Sequence, residues 1–129
     1  MTVGRSTSPT HIKGQKAEEQ ALEFLQAQGF ELVEQNYACT TGEIDLIMRQ
    51  HNLLIFVEVR SRNSTAYGGA AASITLSKQR KISRAAASFL QAYPDFADAD
   101  CRFDVIAFDQ RRAHDLGAAD WIQGAFDAV

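Results

Sequence analysis

Between Phe30 and Arg60 the chain reads as three consecutive strand-like segments, Phe30 to Tyr37, Glu43 to Met48 and Leu53 to Arg60. A strand sends successive side chains to opposite faces, so the order of residues fixes which of them share a side. Ile44, Leu46, Met48, Leu53, Ile55, Val57 and Val59 fall on one face, and Glu43, Asp45, Ile47, Leu54, Phe56, Glu58 and Arg60 on the other. Both faces carry large apolar groups. A sheet of this kind has to be covered on both sides, and helices are the expected cover.

Two segments read as helices. Lys13 to Gln28 places Ala17, Ala21, Leu22, Leu25 and Gln28 near helical spacing, with Gly29 as the stop. Thr75 to Tyr93 aligns Ile82, Ala85, Ala86, Phe89, Leu90 and Tyr93 on one stripe, with Thr75 as N-cap. Cys101 to Asp109 reads as a further strand, and Trp121, Ile122 and Phe126 are expected to pack a short terminal helix onto the sheet. At 129 residues the length suits one domain. The expected architecture is therefore α/β, a central mixed β-sheet flanked by helices over residues 13–129, preceded by a flexible leader at residues 1–12.

Charge is unevenly placed. Thirteen Lys and Arg against sixteen Asp and Glu give a net charge of −3, which taken whole argues against a nucleic-acid partner. From Val59 to Pro94, however, there is no Asp or Glu, and Arg60, Arg62, Lys78, Arg80, Lys81 and Arg84 all fall in that interval. Such a basic stretch fits an anionic partner or a solvated face. Lys78 and Lys81 stand three apart on a helix and share a side, so both could approach a phosphate backbone.

The acids pose a second question. If the hairpin between the second and third strands closes over Gln50 and His51, Glu43 lies opposite Glu58 and Asp45 opposite Phe56. Asp45 is then diagonal to Glu58, at roughly 7–8 Å between Cα atoms. Like charges on a half-buried face are costly unless a cation lies between them. Mg²⁺ is commonly held by one or two carboxylates with water and substrate oxygens, which Asp45 and Glu58 could supply. The other reading makes them rim acids paired with Arg49, Arg60 or Arg62. Glu18, on or beside the apolar stripe of the first helix, faces inward and could assist, although an acid in a first turn also favours the helix dipole.

These residues carry a resemblance. Gly42-Glu43-Ile44-Asp45-Leu46-Ile47, followed after a hairpin by Phe56-Val57-Glu58-Val59-Arg60, is similar to the PD-(D/E)xK nuclease signature. With Gly14-x-x-x-Glu18-x-x-Ala21, Lys78 and the CRFDVIAF segment, the chain resembles the bacterial YraN family, small proteins held to be endonucleases and related to archaeal Holliday junction resolvases. The resemblance implies a restriction-endonuclease-like core and metal-dependent hydrolysis of DNA, including branched or structured DNA, with Mg²⁺ or Mn²⁺ as cofactor. It makes Asp45 and Glu58 the metal-binding acids, the backbone carbonyl of Val59 a third ligand, Glu18 the helix acid and Glu43 a supporting residue. Arg60 stands where the superfamily has Lys. An arginine cannot be deprotonated and cannot activate water as a base, though it can hold the scissile phosphate. Lys78 is a candidate to replace the missing lysine. The alternative is a nucleic-acid-binding module that keeps the nuclease fold without efficient chemistry. Resolvase relatives act as dimers, so a homodimer is the implied assembly.

The remaining features add limits. Cys39 and Cys101 have no CxxC spacing, and the N-terminal residues have no apolar core of a secretory signal, so a cytoplasmic location without membrane contact is expected. His11, His51 and His114 lack ligand spacing, and no phosphate-binding glycine loop is present. Asp104 is expected to be a solvated or arginine-paired strand residue.

Overall fold

The computed structural model describes residues 9–62, 74–109 and 119–129. The first eight residues of the expected leader and His114 lie outside the described residues. In chain order come helix α1 (Pro9–Ala27), strands β1 (Glu31–Cys39), β2 (Gly42–Gln50) and β3 (Leu53–Arg62), and helix α2 (Leu76–Ala92). A single 3₁₀ turn (Pro94–Phe96) precedes β4 (Asp100–Asp109) and β5 (Asp120–Phe126). The five strands form one sheet in sequential order. β1, β2 and β3 are antiparallel neighbours, β3 and β4 are parallel, and β5 returns antiparallel to β4. A parallel pair cannot be joined by a tight turn, and α2 makes the crossover.

Among the described residues each face of the sheet takes one helix, as the two apolar faces require. α1 seats Ala17, Ala21 and Leu25 on Leu46, Met48, Ile55, Val57, Ile106 and Phe108. α2 seats Ile82, Ala85, Ala86 and Phe89 on Ile44, Ile47, Leu54, Phe56, Phe103 and Val105. Thr75 caps α2, its hydroxyl accepting from the Lys78 backbone N–H at 3.1 Å. Gly29 ends α1 at φ 94°, a left-handed conformation open to glycine, and Gln50 Nε2 donates to the Gln28 carbonyl at 2.9 Å.

Four expectations are corrected. α1 begins at Pro9, so the end of the expected leader is helical; proline's fixed φ suits a first helical position. The β2–β3 hairpin closes with Gln50 opposite Leu53, around the two-residue turn His51-Asn52, with His51 at φ 54°. The register is therefore two residues away from the expected one, with Ile47 rather than Asp45 opposite Phe56. Ile44 packs with Ile47 on the α2 side and not with Leu46 and Met48 on the α1 side, so strict alternation fails between Ile44 and Leu46. The last correction concerns Trp121 to Phe126, which form β5 rather than a helix. Pairing with β4 satisfies backbone groups that one short helix would leave bare, and Trp121 meets the rings of Phe24 and Phe30 edge-on at 5.7 and 6.0 Å.

Asp104 is arginine-paired, as expected, but wholly buried rather than solvated. Arg102 donates Nε and Nη2 to its two oxygens at 2.8 Å, and Trp121 Nε1 and the Gly124 N–H donate at 2.9 and 3.0 Å. Its acceptors hold β5 to β4.

Candidate active site

The β2–β3 ladder runs from Gln50↔Leu53 to Leu46↔Val57. The next residues outward are Asp45 and Glu58, so the corrected register sets these acids side by side. The Val59 N–H donates to Asp45 Oδ2 at 2.8 Å, which orients that carboxyl toward β3. Glu58 is buried and close enough to Asp45 for the Asp45 charge to act on it. It alternates with Val57 and Val59 of the α1 core and so faces α2.

Two cations reach Glu58 from different elements. Arg60, two residues along β3, brings Nε to 3.5 Å from Glu58 Oε2. Lys78, in the first turn of α2, brings Nζ to 3.7 Å from the same oxygen. Arg60 Nε is buried and has no hydrogen-bond acceptor among the described residues.

Burial pushes the Asp45 carboxyl above its ordinary range, and its N–H donor from Val59 pulls only partly against this. Burial and then the Asp45 charge push Glu58 up to about 7, with Lys78 and Arg60 opposing the shift. Burial is the larger cause for both acids, and at Glu58 the neighbouring Asp45 charge adds to it. A carboxyl raised in the fold stabilises the protein below its ordinary value of 4.5 and loses that contribution as pH rises through about 7. Thermal melts in chelator should therefore show wild type losing on the order of 1–3 kcal/mol from about pH 5 to about pH 8. Glu58→Gln should flatten the profile. An equally steep profile in that variant would assign the loss to other groups.

The other sequence candidates are distributed around this pair. Among the described residues no three His, Cys, Asp or Glu side chains stand close enough to hold a metal together, so neither Glu18 nor Glu43 completes a three-acid cluster with Asp45 and Glu58. Glu18 is half-buried on α1, between Ala17 and Ala21, in the layer that also packs Val57 and Val59. Glu43 is exposed at the start of β2, and its charge helps to raise Asp45. Lys81, Arg80 and Arg84 are exposed on α2, with Arg80 turned about half-way round the helix from Lys78. Arg62 ends β3, and its side chain lies outside the described residues.

The donor set fits a small divalent cation. Two desolvated carboxyls with raised proton affinity are what a Mg²⁺ or Mn²⁺ ion relieves, and Mg²⁺ is commonly bound by only one or two protein carboxylates. The Val59 contact seen here is its N–H; its carbonyl remains the proposed third donor. The sequence did not reveal the groove of about 380 Å³ beside the pair, whose lining includes Thr40, Thr41, Gly42, Glu43, Lys78 and Lys81. Gly42 was the available signal. A Cβ there would stand 2.7 Å from the Lys81 carbonyl oxygen, so glycine lets the β1–β2 turn sit directly on α2.

A family model described as "Uncharacterised protein family UPF0102" matches residues 17–108. A UPF0102 protein of Alkalilimnicola ehrlichii is 50% identical over 126 residues, covering 96% of this chain and 95% of that protein. One of Cupriavidus metallidurans is 48% identical over 124 residues, covering 95% and 87%. One of Aeromonas hydrophila is 50% identical over 115 residues, covering 88% and 84%.

Proposed function

The chain belongs to the uncharacterised protein family UPF0102, as the YraN resemblance implied, and we propose that it is a metal-dependent endonuclease hydrolysing DNA phosphodiesters. Branched or structured DNA falls within this substrate class. The observation that carries this reading is the Asp45–Glu58 pair at the end of a strand ladder, Glu58 buried and Asp45 partly so, with Lys78 and Arg60 directed at Glu58.

Asp45 and Glu58 would hold Mg²⁺ or Mn²⁺, with the Val59 carbonyl beside them. When bound, the ion lowers the pKa of a water and polarises the phosphate. Arg60 binds a phosphate oxygen through the N–H that lacks an acceptor among the described residues. Lys78 supplies from the helix the amine that the strand motif lacks, neutralising charge that develops on the phosphate during attack. Val59 keeps the Asp45 carboxylate aimed at the site. Glu18 supports the arrangement from α1.

The test is cleavage of single-stranded, duplex and four-way-junction DNA with and without Mg²⁺ or Mn²⁺, by wild type and by Asp45→Ala/Glu58→Ala. Wild type is expected to cut only with metal, and the double variant not at all. Cutting that survives both substitutions would sink the site. Metal-independent DNA binding without any cutting would favour the binding-module reading, for which Arg60 in the motif lysine's place is the supporting observation.

A further inference from the structure

The groove between the β1–β2 turn and α2 is open to solvent and walled by two elements that Gly42 holds in contact. At about 380 Å³ it is near the small end of ligand sites, which run from roughly 300 to 1,000 Å³. Its lining contains two lysines, two threonines and one carboxylate, Glu43, so its side chains carry a small positive excess. No aromatic ring lines it, and base stacking therefore has no platform there. Lys81 has no carboxylate partner among the described residues. Lys78 belongs to both places: it lines the groove and reaches Glu58 at 3.7 Å.

We infer that this groove binds the phosphodiester backbone of a single DNA strand, seating the phosphate that neighbours the one presented to Asp45 and Glu58. The inference takes its substrate class from the nuclease reading and narrows it to an unpaired strand. Lys78 and Lys81 are one helical turn apart, about 5–6 Å between Cβ atoms, a spacing that serves successive phosphates of one strand. The Thr40 and Thr41 side chains border the opposite wall, where phosphate oxygens can take hydroxyl donors. An unpaired strand can bend into so small a recess, whereas a duplex brings its second strand along with the first. Without rings or base-reading groups the groove positions the strand and does not select its sequence.

The experiment is fluorescence anisotropy with a labelled single-stranded DNA 12-mer and the matching duplex, in chelator at low salt, so that binding is read without cleavage. Single strand should bind wild type more tightly than duplex. Lys81→Glu should weaken single-strand affinity at least tenfold. Arg49→Glu makes the same change of charge at the opposite end of β2 and should alter affinity less than twofold. With Lys81→Gln the slope of log affinity against log salt should fall by about 0.7, the loss of one phosphate contact on a single strand. Equal losses in the Lys81 and Arg49 variants, or a preference for duplex, would overturn the inference. The nuclease reading fails separately: Lys81-dependent binding with no metal-dependent cutting overturns that reading and leaves the groove, and cutting with Lys81-independent binding does the reverse.

Discussion

Glu58→Gln is expected to raise the melting temperature of the metal-free protein at about pH 8 while reducing metal-dependent cleavage by two to three orders of magnitude, the equivalent of roughly 3–4 kcal/mol of barrier. Both effects come from one geometry. Two acids share a buried position beyond the last paired residues of β2 and β3, and at that pH the metal-free fold must ionise a carboxyl raised to about 7. A neutral amide of the same shape removes that cost and leaves the Val59–Asp45 hydrogen bond in place. The gain should be on the order of 1–3 kcal/mol, read by calorimetry. The same amide is a poor ligand for a hard cation, so activity falls as stability rises. A variant that is both less stable and less active would mark Glu58 as a structural ion-pair partner of Lys78 and Arg60.

Asp104→Ala is expected to produce the largest loss of stability, about 3–5 kcal/mol. The Asp104 carboxylate is wholly buried and accepts four hydrogen bonds, two from Arg102 and one each from the Trp121 indole and the Gly124 backbone. Alanine leaves those donors facing a void, and Arg102, itself only partly exposed, must find water. Urea unfolding should show a lower midpoint with an unchanged slope. Trp121 is the chain's single tryptophan, so its fluorescence reports directly on β5. A loss under about 1 kcal/mol would mean that water replaces the carboxylate at little cost.

β1 to β4 and α2 were legible because their apolar spacing has one reading. Ile82, Ala85, Ala86 and Phe89 can form a buried stripe only as a helix, and Leu54 to Val57 only as a strand enclosed on both sides. The acids at the site were legible by type but not by neighbour. The connection Arg49-Gln50-His51-Asn52 contains no glycine to mark the turn, and His51 adopts the left-handed conformation without announcing it. That ambiguity displaced the register and with it the position of Asp45 relative to Glu58. β5 was misread because Trp121, Ile122, Ala125 and Phe126 have the i, i+1, i+4, i+5 spacing of a helical turn, whereas the free edge of β4 decided the outcome. Lys78 was legible as a basic residue, but its reach to Glu58 depends on where α2 crosses the sheet, which is a tertiary fact.

The edge-on contacts of Trp121 with Phe24 of the first helix and with Phe30 just beyond it tie the start of the chain to the fifth strand, segments made at very different times during synthesis. Most helical stability comes from packing, and the cover that α1 needs is complete only once β4 and β5 have emerged. Translation therefore delivers α1, with Glu18, long before the surface that seals it. The hairpins and α2 can form a nascent, half-covered sheet, but the α1 side of that sheet is closed only when the last-made strand brings Trp121 against Phe24 and Phe30. A ribosome-stalled intermediate lacking β5 would present that apolar sheet face to chaperones.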